Sequence, residues 1–377
     1  MNAKIFLFVL SVSAVLYMLI IFAFTAGWNN LKSFSFSHRN PKTALSVVVA
    51  FRNETLVLPK LLEAFLQQTY PDALLELILV DDHSTDKSKA VISEFIKKHK
   101  ALKIRLLNAD GNGKKAALHK GIVSAAGELI VTTDADCMPK KGWLSEIAVL
   151  YEENHPRLIL GPVMYDREKS FLQKLFSLDF MSLVASGAGS AEIGLPFMGN
   201  AANMAFEKEI YLDAKTDVLN TGFASGDDIF FIHYVRRAFG RKAIAFIKNE
   251  ETIVHTPPPE NIKAFFAQRI RWGSKARGYS QPWAVIVSYT IFLFNFLLTA
   301  SLILSLFVPW LIVIYVLFVV LKTLTDFPLL YAFSRFAGKQ RLSFLILPFE
   351  IIYPAYITFV AFRGLFPFAW KGREIVN

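Results

Sequence analysis

Two carboxylates one residue apart, Asp134 and Asp136, follow directly on the apolar run ELIVTT (128–133). Carboxylates so spaced can hold Mg2+ or Mn2+, hard cations that prefer oxygen and usually share their coordination with substrate phosphates. A second acidic pair, Asp81-Asp82, closes the run LLELILV (74–80), and Asn53-Glu54 comes just after ALSVVVAF (44–51). The pair Asp81-Asp82 can hydrogen-bond a base or a ribose. Lys114 and Lys115 open a helical stretch after the turn Gly111-Asn112-Gly113, where they can attract a phosphate or simply face solvent. Asp227-Asp228 precedes an apolar helix; Asp there favours the helix start, and one of the two can also serve as a general base. Further on, Gln268, Arg271 and Trp272 share one helical face at i, i+3 and i+4.

The elements that must position these groups alternate. Short β-branched or leucine-rich strands are expected at 44–51, 74–80, 102–107, 128–133 and, as one strand, 157–164. Helices are expected between them, at about 54–68, 87–99 and from 114 onward. Strand and helix at this spacing make a doubly wound α/β sheet, and ligands of such sheets bind beyond the carboxyl ends of the strands. All three acidic clusters fall at those ends. No Gly-rich dinucleotide fingerprint or phosphate-loop motif is present. The single cysteine, Cys137, excludes an internal disulfide and a multi-cysteine zinc site, and suits packing behind the Asp134 loop.

Charge and hydropathy divide the chain. Of the 377 residues, 30–282 hold 33 bases and 28 acids, an ordinary balance for a soluble domain. The excess of apolar residues sits at the two ends. Residues 5–24 carry no charge and are long enough for one membrane helix. Lys32, Arg39 and Lys42 follow, which by the positive-inside rule puts the central domain in the cytosol. Residues 283–320 read as a helical hairpin turning near 305–309, with 322–343 returning to the cytosol. A last apolar segment, 344–362, is interrupted by Pro348, Glu350 and Pro354. If it spans, the basic tail lies outside; if it is re-entrant, or if 327–336 also enters the membrane, the tail can be cytosolic. The domain organisation expected is an anchor (1–29), a cytosolic domain (30–259), an amphipathic interfacial helix (260–282) and a membrane region (283–377). The interfacial reading rests on the stripe Ile262, Phe265, Phe266 and Ile270. The net charge of +10 is thus spread over membrane flanks, without the basic-aromatic array of a nucleic-acid binder.

Taken in order, these motifs resemble the family 2 inverting glycosyltransferases. The likeness is greatest to the membrane-bound branch of cellulose, chitin and hyaluronan synthases and ceramide glucosyltransferases, and runs over about residues 45–273. The resemblance implies a glycosyltransferase A-type domain between membrane helices. It makes Ala50 (where the family usually has proline), Asn53, Glu54, Asp81, Asp82, Lys114 and Asp134 nucleotide-binding, with Asp134 and Asp136 as the metal-binding D-x-D. Gly199 and Asn200 look like the acceptor-side segment. Gly226-Asp227-Asp228 is similar to the family's E-D motif, with Asp228 as catalytic base. Gln268-Arg-Ile-Arg271-Trp272 matches Q-x-x-R-W, which puts Arg271 on the diphosphate and Gln268 and Trp272 on the acceptor side. The implied activity moves a sugar from a nucleotide-sugar, a UDP-sugar in this branch, to a lipid, lipid-linked or growing-glycan acceptor. Mg2+ or Mn2+ would assist, and a bacterial inner membrane is the expected setting.

Competing readings are a processive polysaccharide synthase of the same family, a nucleotidyltransferase on a similar sheet, and a nucleotide-binding membrane scaffold or transporter. The last should carry ionisable residues facing one another inside the membrane, and on the expected spans only Glu350 qualifies.

Overall fold

A computed structural model describes residues 3–33, 40–214, 227–279, 281–366, 368–370 and 373–375. Four parallel strands form one half of a seven-stranded sheet: β1 (Leu45–Phe51), β2 (Leu75–Asp81), β3 (Lys103–Asn108) and β4 (Leu129–Asp134). The central strands β1, β2 and β4 are buried on both faces, as their continuous Val/Leu/Ile runs require. Helices α2 (Leu58–Leu66), α3 (Ser88–Lys98) and α4 (Lys114–Ser124) make the crossovers. Register aligns Phe51 with Asp81 and Ala50 with Asp134. The carboxyl ends of three strands are therefore level.

The other half of the sheet differs from the expected succession of strands. After α5 (Trp143–Asn154), the run 157–164 is not one strand. It breaks at Gly161-Pro162 into β5 (Leu158–Leu160), in the main sheet, and β6 (Val163–Tyr165), in a separate two-stranded sheet. Proline has no N–H to donate, so the ladder cannot continue through it. Between β4 and β5 lies β7 (Met204–Glu207), antiparallel to both. The sheet order is β3-β2-β1-β4-β7-β5-β8, with β8 at Ile244–Phe246, and β9 (Val254–Thr256) pairs with β6.

Helix α6 (Phe171–Glu192) joins the domain to the membrane region. It packs against the first membrane helix, α1 (Ala3–Asn30), where two glycines let the backbones touch. A Cβ on Gly27 would lie 2.2 Å from the Gly189 carbonyl oxygen, so no larger residue fits. Lys248 fastens the end of α1, donating to the Trp28 carbonyl at 2.9 Å and lying 4.3 Å over its indole ring.

After α7 (Lys208–Asp213), α8 (Asp227–Phe239) and α9 (Ile262–Gly273) come α10 (Pro282–Leu304), α11 (Leu311–Phe336) and α12 (Ile346–Arg363). With α1, these last three are long and apolar enough to cross a membrane. The hairpin turn falls at 305–310, as the apolar run predicts. Its second helix, however, does not end near 320. It runs on through Lys322 and Asp326, which corrects the expectation that the helix stops before Lys322. Lys322 is 1% exposed and donates to Asp326, one turn on, at 2.6 Å and to Glu350 at 2.5 Å. Tyr17 donates to the same Asp326 carboxylate. Compensation by two carboxylates lets a charged residue stay in an apolar helix. Glu350 is thus not alone, and the intramembrane cluster looked for in a transporter does exist.

One end of α12 meets the α/β domain and the other meets the turn that follows α9. Before it, Lys339 bonds Glu168 and the Tyr165 carbonyl; after it, the Leu365 carbonyl accepts from Arg277 at 2.5 Å. Midway, Tyr356 packs on Phe265 and Phe266 of α9. The apolar stripe of α9 accordingly faces protein rather than lipid: Phe265 stacks on Phe176 at 4.0 Å, and of the four stripe residues only Ile262 is exposed.

Candidate active site

The level strand ends form the floor of the site. Asp81 and Asp82 are nearly buried, at 2% and 5% exposure, and their oxygens are partly committed. Asp81 Oδ1 accepts from the Ser84 N–H at 3.0 Å, and its other oxygen is 3.4 Å from Lys89. Asp82 Oδ1 accepts from the Gly113 N–H at 2.7 Å. Gly113 has φ of +97°, a conformation that favours glycine and aims its N–H at the acid. Asn53, at φ +55°, also adopts a left-handed turn; its Oδ1 accepts from the Thr85 N–H at 2.8 Å. The Glu54 N–H donates to Ser88 at 2.9 Å. The loops after β1 and β2 are thus sewn together, with the half-buried Ala50 at the end of β1 between the two acidic strand ends.

Asp134 and Asp136 are both partly exposed. Lys114, the first residue of α4, bonds Asp134 Oδ1. Cys137 behind them is buried, and burial pushes its thiol well above the usual range, which fits packing rather than nucleophilic work. Two carboxylates with no His or Cys make a hard-oxygen donor set. Among the described residues no group of three or more His, Cys, Asp or Glu could hold an ion alone. The pair therefore fits an ion whose remaining ligands come from a phosphate-bearing substrate, the usual arrangement for Mg2+.

Lys114 connects the floor with the opposite wall. Burial pulls its ammonium down, but Asp134 and Asp228 outweigh both that and the nearby Arg271, so its pKa is raised. Asp134 contacts this ammonium directly, and the acid on α8 and the arginine of Q-x-x-R-W lie within electrostatic reach of it. Asp228 Oδ1 accepts from its own helix, the Ile229 N–H at 2.9 Å, and from Lys275 at 3.1 Å. Ser225 and Gly226 of this motif lie outside the described residues, as does the side chain of Asp227.

Such a floor of strand-end acids facing a basic wall, beside membrane helices, suits transfer from a phosphate-activated donor. The chain matches the model of glycosyl transferase family 2 over residues 46–210 and that of glycosyl transferase family group 2 over residues 129–362. It belongs to the family 2 glycosyltransferases. Similar proteins include a probable glycosyltransferase of Bacillus subtilis, 30% identical over 36% of this chain and 34% of its own length. Another, from Methanococcus voltae, is a dolichyl N-acetyl-alpha-D-glucosaminyl phosphate 3-beta-D-2,3-diacetamido-2,3-dideoxy-beta-D-glucuronosyltransferase, 22% identical over 61% of this chain and 72% of its own. A Serratia proteamaculans undecaprenyl-phosphate 4-deoxy-4-formamido-L-arabinose transferase is 29% identical over 42% and 49%. The chain thus spans about a third to a half of the first and third of these relatives. Among solved structures, a mannosyltransferase from Pyrobaculum calidifontis, in complex with GDP-Man and Mn2+, shares the fold at TM-score 0.56 and 17% identity, over 95% of this chain and 99% of its own.

Within this glycosyltransferase the residues expected on the acceptor side are placed less uniformly. A Cβ on Gly199 would meet Ile232 Cδ1 at 2.6 Å, so this glycine lets the segment lie against α8. Asn200 accepts from the Ala202 N–H at 3.0 Å and starts a short 3-10 turn. Gln268 Oε1 accepts from the Tyr165 hydroxyl at 2.8 Å and from Arg269 at 2.5 Å. Trp272 is half-buried, with its ring 5.7 Å from Phe180 and 4.4 Å from the Arg269 guanidinium.

Two groups here escape a reading of the sequence. Arg269, the x of Q-x-x-R-W, is 3% exposed and donates to buried Asp179 of α6 at 2.5 Å. The hint was an acid, Asp179, in the middle of the helix Phe171–Glu192, flanked by Leu178 and Phe180. Lys275, 6% exposed, had no motif to announce it and became visible only against Asp228.

Proposed function

We propose that the protein transfers a sugar from a UDP-sugar to a lipid or lipid-linked acceptor at the membrane surface, with inversion at the anomeric carbon. The observation that carries this reading is the level set of strand-end acids, Asp81, Asp82 and Asp134, with Lys114 bonded to Asp134 and Lys275 bonded to Asp228. The named relatives from Methanococcus and Serratia, which are dolichyl- and undecaprenyl-phosphate-linked enzymes, favour the acceptor class.

In this reading Asn53, Glu54, Asp81 and Asp82 hold the nucleoside. Asp134 and Asp136 would hold Mg2+ or Mn2+, which when bound supplies positive charge opposite the diphosphate. Lys114 and Arg271 stabilise the diphosphate as it leaves. Asp228 accepts the proton of the acceptor hydroxyl; the acceptor oxygen bonds to the anomeric carbon, and the carbon–oxygen bond to the diphosphate breaks with its electron pair. Gly199, Asn200, Gln268 and Trp272 line the acceptor side.

Orientation follows from charge and from α12. The bases after α1 put the catalytic domain in the cytosol. A helix with one end held to that domain and the other to the turn that follows α9 supports a re-entrant α12, leaving the basic tail on the same side.

Membranes containing the protein, incubated with a panel of radiolabelled nucleotide-sugars and Mg2+ or Mn2+, should place label in the lipid-extractable fraction. Label in polymer would favour a processive synthase, and label in neither fraction with every donor would overturn the proposal.

A further inference from the structure

We propose that Lys275 is a positioning residue of the transfer reaction: it fixes the Asp228 carboxylate so that one oxygen is tied down and the other faces the acceptor. The inference rests on the reading of Asp228 as the general base.

The geometry is specific. Asp228 Oδ1 takes both the Lys275 ammonium at 3.1 Å and the Ile229 N–H at 2.9 Å. No hydrogen bond among the described residues reaches Oδ2, and the side chain keeps 15% exposure. A carboxylate held through one oxygen cannot swing about its χ angles, and the remaining oxygen is the one able to receive a proton. Lys275 itself is 8% exposed at the side chain, so this is an enclosed pair and not a surface ion pair.

The turn carrying Lys275 is gripped from the membrane side. A Cβ on Gly273 would lie 3.3 Å from Val360 Cγ1, and one on Gly364 would lie 3.4 Å from the Ser274 nitrogen. Arg277, two residues beyond Lys275, donates to the Leu365 carbonyl at 2.5 Å. The far end of α12 therefore sets where the ammonium sits, which gives that helix a task beyond lipid contact.

Among the described residues, the charged and titratable groups facing Asp228 are Lys275, Lys114 at the start of α4, and the Tyr279 hydroxyl just past the turn. Burial pushes the Asp228 carboxyl up; Lys275 leads the groups that outweigh it, followed by the Ile229 N–H and Lys114, and the pKa is lowered. Without the ammonium, burial meets less opposition and the carboxyl rises. A base works only when deprotonated, so the acidic limb of the kcat/KM profile must move to higher pH.

The test uses the full-length protein in membranes with the donor and acceptor found by the labelling panel. Lys275→Met should lower kcat about tenfold or more and move the acidic limb up by about one pH unit or more, since loss of an opposite charge at this range is worth 1–3 units. UDP affinity should stay within about twofold of the parent, because the nucleoside contacts lie on the far strands. Lys275→Arg should keep the limb in place. If Lys275→Met does not accumulate, Lys275→Gln, which keeps a long polar side chain without the charge, takes its place, and its limb should move in the same direction. An acidic limb that is the same with and without the cation overturns the inference. Turnover by Asp228→Asn would instead remove the reading beneath it, so the two failures are distinguishable.

Discussion

Two ionic clusters of similar composition sit at two levels of this molecule. In the active site, Asp134 pairs with Lys114 and Asp228 with Lys275; in the membrane layer, Lys322 pairs with Asp326 and Glu350. The side chains of Lys114 and Asp134 are 50% and 32% exposed, whereas Lys322 is 1% exposed and its partners are buried with it. The difference is access. Lys114 and Asp134, open to a cleft, can exchange one another for a substrate's phosphates, so their pairing is a resting state. Ions enclosed among apolar helices have no such exchange, and their pairing is architecture. The membrane cluster therefore does not revive the transporter reading, because its charges are spent on holding α1, α11 and α12 together.

The largest effect should come from the cleft. Asp228→Asn should abolish transfer, a loss of about 10²–10⁴-fold or more, while UDP binding persists; single-turnover assays with labelled donor measure both. Its counterpart in the membrane is Lys322→Met, which leaves two carboxylates enclosed without their cation. It should cost about 3–5 kcal/mol of fold stability, read as a lower midpoint of thermal unfolding in detergent. Donor affinity in whatever protein folds should be unchanged, and a selective loss of donor binding would break the contrast.

A third buried acid sharpens it. Glu76, at the amino ends of the strands, accepts from the Ser46 hydroxyl at 2.7 Å, the Ala126 N–H at 2.9 Å and Arg105 at 3.1 Å. Burial pushes its carboxyl up, and these donors with Lys103 outweigh it, so its folded pKa is below the usual range. Its contribution is full above the ordinary carboxylate pKa and is lost as pH falls through the lower folded value. Glu76→Gln should cost about 1–3 kcal/mol at neutral pH, and less with each step into acid, when unfolding is followed against pH. The smallest effect is Tyr17→Phe. It removes one donor to Asp326 and should lower stability by about 1 kcal/mol, with activity unchanged.

Much of the candidate site was legible because strand-end acids announce themselves. Asp81, Asp82 and Asp134 each follow a continuous apolar run, and a doubly wound sheet must bring the ends of neighbouring parallel strands level. Less legible was anything set by partners remote in sequence. The break at Gly161-Pro162 was written in the residues, yet the pairing of β6 with β9 depends on a segment about ninety positions later. Lys322 read as the end of a span because its compensating carboxylate, Glu350, lies on another helix. The stripe on α9 read as a lipid-facing surface because period alone cannot tell lipid from a phenylalanine-rich protein face.

Residue order by itself determined the family, the α/β class, the apolar helices at both ends and the identity of the acids at the strand ends. All of these follow from local pattern: hydrophobic period, run length and motif spacing. Only the tertiary structure decided which ions face a cleft and which face one another, that Arg269 rather than Arg271 carries the enclosed pair with Asp179, and that Lys275 stands against Asp228. The physical reason is that Coulomb energy and desolvation depend on distance and burial, and neither is a property of neighbours along the chain.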